Sequence, residues 1–263
     1  MFLGFRAAVL AIALSGALPA AALRVCADPN NLPYSNMRQQ GFENALATLV
    51  AGDLGLAVGY VWEPQRGRYL RKTLDAGKCD VVMGIATGVD EVATTRPYYR
   101  SSYVFVSRHD RRLGLRSFDA PVLRKSRIGV HVLQHEDATT PPVQVLLTRG
   151  LAGNIEWFKL YPDFSRPNPA SALIEAVEHQ QIDVAVAWGP MAGYFAKSAP
   201  VPLDVVPVPN QVEQSIPLAY NISMGVRHGD ARLLAKLNAA IDHRKDAIRQ
   251  LLQGYGVPLV EER

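Results

Sequence analysis

The chain has 263 residues, with 28 Lys+Arg against 24 Asp+Glu, a formal net charge of +4, two cysteines and 48% apolar composition. A mild positive charge without a polybasic run argues against a nucleic-acid partner, and no apolar stretch beyond the N-terminus reaches membrane-spanning length. Such a length allows one large domain or two small ones with ample core. Residues 1–22 carry one early Arg6, an apolar run over 7–18 and an all-alanine ending at Ala20, Ala21 and Ala22. That pattern predicts a secretory signal peptide, so the folded protein is expected to begin near Leu23, with no membrane span in its mature form.

Residues 23–27 read as a short apolar strand. A loop with Asp28, Asn30, Asn31 and Pro33 follows, then a helix whose Phe42, Ala45, Leu46, Leu49 and Val50 share one face, with Gly55 at the C-cap. In open α/β sheets ligands bind beyond the carboxyl ends of such strands, so the loop over 28–34 is a candidate ligand edge. A strand over 57–62, a helix over 69–76 and a strand over 80–85 continue a βαβ rhythm. After an extended run over 103–106 the pattern starts again, with strands over 127–130, 156–160 and 183–187 and helices over 143–148 and 169–179. The two series share a local phrase, Gly77-Lys78-Cys79-Asp80-Val81 against Gln180-Gln181-Ile182-Asp183-Val184, as two similar lobes would. Strands over 203–208 and 219–226 follow, and Asp230 is placed to cap one long amphipathic helix running through Leu252.

Both cysteines fall after the signal peptide, Cys26 in the first strand and Cys79 at the start of the strand over 80–85. If these strands are parallel neighbours about 4.8 Å apart, one disulfide joins them; two buried free thiols are the alternative.

The Arg24-Val25 strand, the Pro33-Tyr34-Ser35 loop and the Gly41-Phe42-Glu43 helix start resemble the opening of bacterial periplasmic solute-binding proteins that bind polar amino acids. Longer strings at 26–36, 41–47, 77–84, 94–106, 182–197 and 222–230 resemble a narrower group, the quinoprotein-dehydrogenase-associated periplasmic substrate-binding proteins of the MoxJ/XoxJ type. This resemblance covers essentially the whole mature chain. It implies an α/β protein of the periplasmic-binding-protein type II fold, two α/β lobes joined by a two-strand hinge. Lobe 1 would comprise residues 23–106 plus 214–263, and lobe 2 residues 107–213. It further implies a periplasmic accessory to a pyrroloquinoline-quinone (PQQ)-dependent alcohol dehydrogenase of the methanol-oxidation kind, assisting its maturation or activation. The dehydrogenase would carry the PQQ, and this chain would bind no cofactor. The alternatives are a receptor that passes a small non-amino-acid solute to an ABC permease, and a lyase built on the same fold.

Departures from the amino-acid-binding pattern narrow the ligand. There, an Arg in the loop after the third strand pairs with the ligand carboxylate, and an acid near the end of the strand starting at Asp183 holds the ammonium. Here those places read Ala86-Thr87-Gly88-Val89-Asp90 and Trp188-Gly189-Pro190. Losing both charge-assisted contacts removes roughly 3 to 6 kcal/mol, so free α-amino acids are not the expected ligands. The expected cleft, for a solute or a partner segment, is Asn31, Tyr34, Arg66, Arg96, Tyr98, Tyr99, Trp188 and Tyr220, an aromatic and amide set with two cations.

The basic residues Arg108, Arg111, Arg112, Arg116, Arg124, Lys125 and Arg127 are expected to offer a docking face to an acidic partner, or else a solvated surface. No Gly-x-Ser-x-Gly, Cys-x-x-Cys, P-loop or Gly-x-Gly-x-x-Gly motif occurs in the mature chain, which gives no support to the commoner catalytic classes. His131, His135, Glu136 and Asp137 lie close enough in sequence to consider a metal, but the segment reads better as a polar loop, and no metal is expected.

Overall fold

The computed structural model describes residues 21–132, 139–159, 167–209, 212–213 and 215–261. The expected signal peptide lies almost wholly outside the described residues, as do His135, Glu136 and Asp137. From the N-terminal side, β1 (Ala22–Ala27) leads through a hairpin, β2 (Asn30–Asn31) and β3 (Ser35–Asn36), to helix α1 (Phe42–Asp53) and β4 (Ala57–Trp62). The one-turn helix α2 (Tyr69–Lys72), β5 (Val81–Ala86), β6 (Ala93–Thr94) and the long β7 (Tyr99–Arg108) follow. The second series is β8 (Ile128–Val132), α3 (Pro141–Thr148), β9 (Ile155–Lys159), α4 (Ala172–Glu178), β10 (Val184–Trp188), α5 (Gly189–Ser198) and β11 (Leu203–Pro207). A hairpin of β12 (Val212–Glu213) and β13 (Ile216–Pro217) then precedes β14 (Ala219–Val226), α6 (Ala231–His243) and α7 (Lys245–Gly254).

The main sheet runs β4-β1-β5-β14-β7-β10-β8-β9. β1 is parallel to both β4 and β5, and β8 to both β9 and β10. Each lobe is therefore a parallel βαβ set, as the strand-helix rhythm predicts, and together they form the type II fold. β7 and β14 connect the lobes. β7 pairs with β14 along Tyr99 to Ser102, and then with β10 and β11 along Tyr103 to Arg108. By strand pairing the change of lobe falls between Ser102 and Tyr103, earlier than the boundary expected after Val106. The chain returns at Leu218, buried in the second lobe's core, and Ala219, paired with Ser102.

The repeated phrase is a repeated structure. In the first lobe the Arg24 amide donates to Asp80 Oδ2 (3.1 Å) and its guanidinium to the Gly77 carbonyl (2.9 Å). In the second, the Arg127 amide donates to Asp183 Oδ2 (2.8 Å) and its guanidinium to the Gln180 carbonyl (2.6 Å). Gly77 and Gln180 both take left-handed backbone, φ 68° and 57°. Each lobe thus ties its first strand to the helix-to-strand turn that feeds the neighbouring strand.

Cys26 and Cys79 form a disulfide with Cα atoms 5.4 Å apart. Cys26 pairs in register with Val82, and Cys79 lies before β5 where the chain bends at Asp80, so the bridge does not depend on in-register strand partners. The long C-terminal helix is two helices. Arg244 leaves helical geometry (φ −105°, ψ 12°), and its guanidinium donates to Asp53 Oδ1 at 2.7 Å. The break lets α6 bury Leu237 and Ile241 while α7 buries Ile248 and Leu252 in the same core as Phe42, Leu46 and Val50 of α1. Asp230 caps α6 as expected, accepting from the Leu233 amide at 3.2 Å. The helix expected over 69–76 shortens to the four residues of α2, the rest forming turns.

Candidate functional site

Where the two lobes face each other, the ends of β5, β8 and β10, the loop after β1 and the start of α1 line a cavity of about 310 Å³. The first lobe builds its wall around the start of α1. The Pro33 and Tyr34 carbonyls accept from the Phe42 and Glu43 amides at 2.8 and 2.9 Å, so the loop itself caps the helix. Gly41 is required there because a Cβ would collide with the Tyr34 carbonyl. This close approach sets Tyr34 beside Glu43, and both line the cavity.

Glu43 is only 8% exposed, and its carboxyl lies over Gly84, where any side chain would strike Glu43 Oε1. Burial, reinforced by the nearby Asp28 carboxylate, pushes its pKa up to about 8, with no hydrogen-bond donor among the described residues to offset them. Asp28 is also buried, and burial raises its pKa as well. Unlike Glu43 it accepts two backbone N–H bonds, from Asn30 (2.8 Å) and Gln65 (2.7 Å). Asn31 donates to Gln65 Oε1 at 3.0 Å, and both amides line the cavity.

The second lobe contributes Tyr103, His131, Ala170, Trp188 and Met191. Trp188 ends β10 and stands edge-on to Tyr103 and Tyr220, with centroids 5.4 and 5.8 Å away. Gly189, next in sequence, packs against the Ser102 carbonyl and Pro258, which fixes the turn into α5. Burial holds His131 neutral, its pKa lowered to about 4. Among the described residues no lysine or arginine lines the cavity.

Of the eight expected cleft residues, Asn31, Tyr34, Tyr99 and Trp188 line the cavity; the other four do not. Arg96 belongs instead to the back of the first lobe, where its guanidinium pairs with Asp242 at 2.5 Å and its amide donates to Asn238. Tyr98 is turned to the sheet and donates to the Met83 carbonyl at 2.7 Å. Tyr220 supports Trp188 from behind and donates to the Pro217 carbonyl. Arg66 is exposed, and from outside the cavity wall its field only partly offsets the rise that burial gives the Asp28 pKa. The expected basic face is also reduced. Arg108 pairs with Asp110, and Arg111 and Arg127 both pair with Asp183, so these charges serve their own lobe.

Glu43, Gln65, Tyr103 and His131 are wall residues not anticipated as such. For Glu43 a signal existed: with Ala47 and Val50 it occupies a buried face of α1, where a carboxyl needs a reason.

The fold and the interlobe cavity define a two-lobed binding protein of the type II periplasmic kind. The chain belongs to the bacterial extracellular solute-binding proteins, family 3, whose pattern matches residues 23–257. It is similar to Protein MoxJ of Paracoccus denitrificans, 30% identical over 273 positions, covering 98% of this chain and 96% of that relative. It is also similar to the crystal structure of periplasmic binding protein XoxJ from Methylobacterium extorquens AM1, at 36% identity and TM-score 0.76, covering 91% of this chain and 100% of that one. MxaJ from Methlophaga aminisulfidivorans MPT is similar at 29% identity and TM-score 0.76, with 90% and 100% covered.

Proposed function

We propose that this chain is a periplasmic, non-enzymatic accessory of a PQQ-dependent alcohol dehydrogenase of the methanol-oxidising kind, exported by a cleaved signal peptide and binding the dehydrogenase to assist its maturation or activation. Similarity to MoxJ, XoxJ and MxaJ across nearly the whole chain supports this placement. The observation that carries it against a transport receptor for amino acids is the cavity wall. No lysine or arginine among the described residues lines it, and Trp188, backed by Tyr103 and Tyr220, stands at its second-lobe face. A carboxylate ligand would be buried there without a cationic partner. The same argument keeps PQQ, a polycarboxylate, with the dehydrogenase. Aromatic anchors with a rigid backing are what a partner segment needs.

Calorimetry tests the reading. Apo dehydrogenase titrated into the protein is expected to bind at about micromolar strength, about −8 kcal/mol, and Trp188→Ala should weaken this at least tenfold. An amino-acid panel should give no heat. A clear amino-acid isotherm together with no co-elution of the dehydrogenase would put the transport reading first.

A further inference from the structure

Glu43 is a buried carboxyl that faces a cavity and, among the described residues, receives no hydrogen bond. Four aromatic residues from both lobes surround the same space: Tyr34 and Tyr99 beside Glu43, Tyr103 and Trp188 opposite. Aromatic faces and a desolvated carboxylate share one preference, a diffuse positive charge. We propose that the cleft binds a small organic cation, an alkylammonium carrying no carboxylate of its own, with Glu43 as counter-ion and Tyr34, Tyr99, Tyr103 and Trp188 as walls.

The other ligand classes fit less well. An anion or zwitterion would bring a negative charge to a wall where, among the described residues, no lysine or arginine stands. Among the described residues no group of three His, Cys, Asp or Glu could hold a metal ion. A volume of about 310 Å³ lies at the lower end of the range that takes small molecules. Groups that face Glu43 agree with this assignment. Asp28 is a second carboxyl beside it, Tyr60, Tyr69, Tyr98 and Tyr99 stay neutral with raised pKa values, and His131 in the opposite wall is neutral. Binding therefore ionises Glu43: the carboxylic acid gives its proton to solvent and the cation takes its place.

The inference goes beyond the accessory reading and stands or falls without it, because the test contains no dehydrogenase. The purified protein is titrated with tetramethylammonium, choline and the neutral choline isostere 3,3-dimethylbutanol, in two buffers of different ionisation enthalpy. A cation should bind saturably, releasing close to one proton at pH 7, with affinity rising about tenfold per pH unit until it levels near the pKa of Glu43. Glu43→Gln should lose at least tenfold in affinity and all proton release. Should that variant not fold, Tyr103→Leu should weaken binding and Tyr103→Phe should not. Absence of saturable cation binding, equal binding of the neutral isostere, or pH-independent binding without proton release would each overturn the assignment.

Discussion

Counted from the shared arginine clamp, Cys26 and Cys79 of the first lobe stand where the second lobe has Gly129 and Ile182. The first lobe joins this pair covalently. The second packs it, for a Cβ at Gly129 would run into the Ile182 and Leu173 side chains. The same count sets Asp28 against His131, two residues further toward the cleft. Both are buried, one an acid that keeps two backbone donors, the other an imidazole held neutral. A common βαβ frame thus carries opposite walls, cross-linked and acidic on one side, packed and neutral on the other. Charge in this cleft belongs to the first lobe, and the second offers surface.

Glu43 should show the difference most strongly. In the folded chain it keeps its proton until pH about 8, whereas its ordinary pKa is 4.5. Between these values the folded state binds a proton that the unfolded state has lost, so stability falls as pH rises. The fall is at most about 5 kcal/mol, at about 1.4 kcal/mol per pH unit. Urea midpoints of the wild type should drop between about pH 5 and pH 8, and Glu43→Gln should remove the drop. A flat wild-type profile would mean that the first lobe's wall is not acidic in the sense argued.

Breaking the cross-link is the next largest effect. The disulfide closes a separation of 53 residues, for which the chain-entropy model gives about 4 kcal/mol. The Cys26→Ser, Cys79→Ser double variant should lose that much stability, and hydrogen exchange should speed up in β1 and β5 with little change in β8 and β10. Equal acceleration in both lobes would deny that the staple is local to one of them.

His131 should respond in the opposite pH direction. Its folded pKa of about 4 lies below the ordinary 6.5, so below pH 6.5 the unfolded chain takes up a proton that the folded chain refuses. Stability then falls as pH drops from about 6.5 to about 4, by about 3 kcal/mol. His131→Gln should flatten this acid limb and leave the limb assigned to Glu43 in place. Loss of both limbs in one variant would show that the two groups titrate as a unit rather than as separate walls.

The sequence made the frame legible because the frame depends on local signals. Asp-Val strand starts, the polar turns before them and the α1 stripe are all short-range patterns, and they recur in the structure at the expected places. The walls depend on what meets across long distances. Arg96 reads as available for a ligand, but α6 brings Asp242 to it, and the burial of Glu43 depends on β5, which places Gly84 beneath its carboxyl. His131 drew attention for its acidic and histidine neighbours, although its own burial against the cavity is what sets its behaviour. The continuous stripe over 233–252 concealed the break at Arg244, because both resulting helices keep their apolar residues on the core side.

One residue crosses between the walls and gives the smallest expected effect. Leu32 lies in the first lobe's loop, yet it is 6% exposed and packs in the second lobe's core cluster with Val104, Leu173 and Met191. Close by, the Asn168 amide of the second lobe donates to Asn30 Oδ1 at 3.3 Å. The loop therefore latches the lobes together with an apolar side chain. Truncating a buried leucine costs about 2 to 5 kcal/mol in a fixed core. Here the lobes can separate and let water into the gap, so Leu32→Ala should sit near the lower limit, about 2 kcal/mol. That loss should fall on the contact between lobes rather than on either fold. Small-angle scattering should report a larger radius of gyration for Leu32→Ala, while hydrogen exchange within β5 and β10 stays at wild-type rates. An unchanged radius with faster exchange in β10 would make Leu32 an ordinary member of the second lobe's core and not a latch.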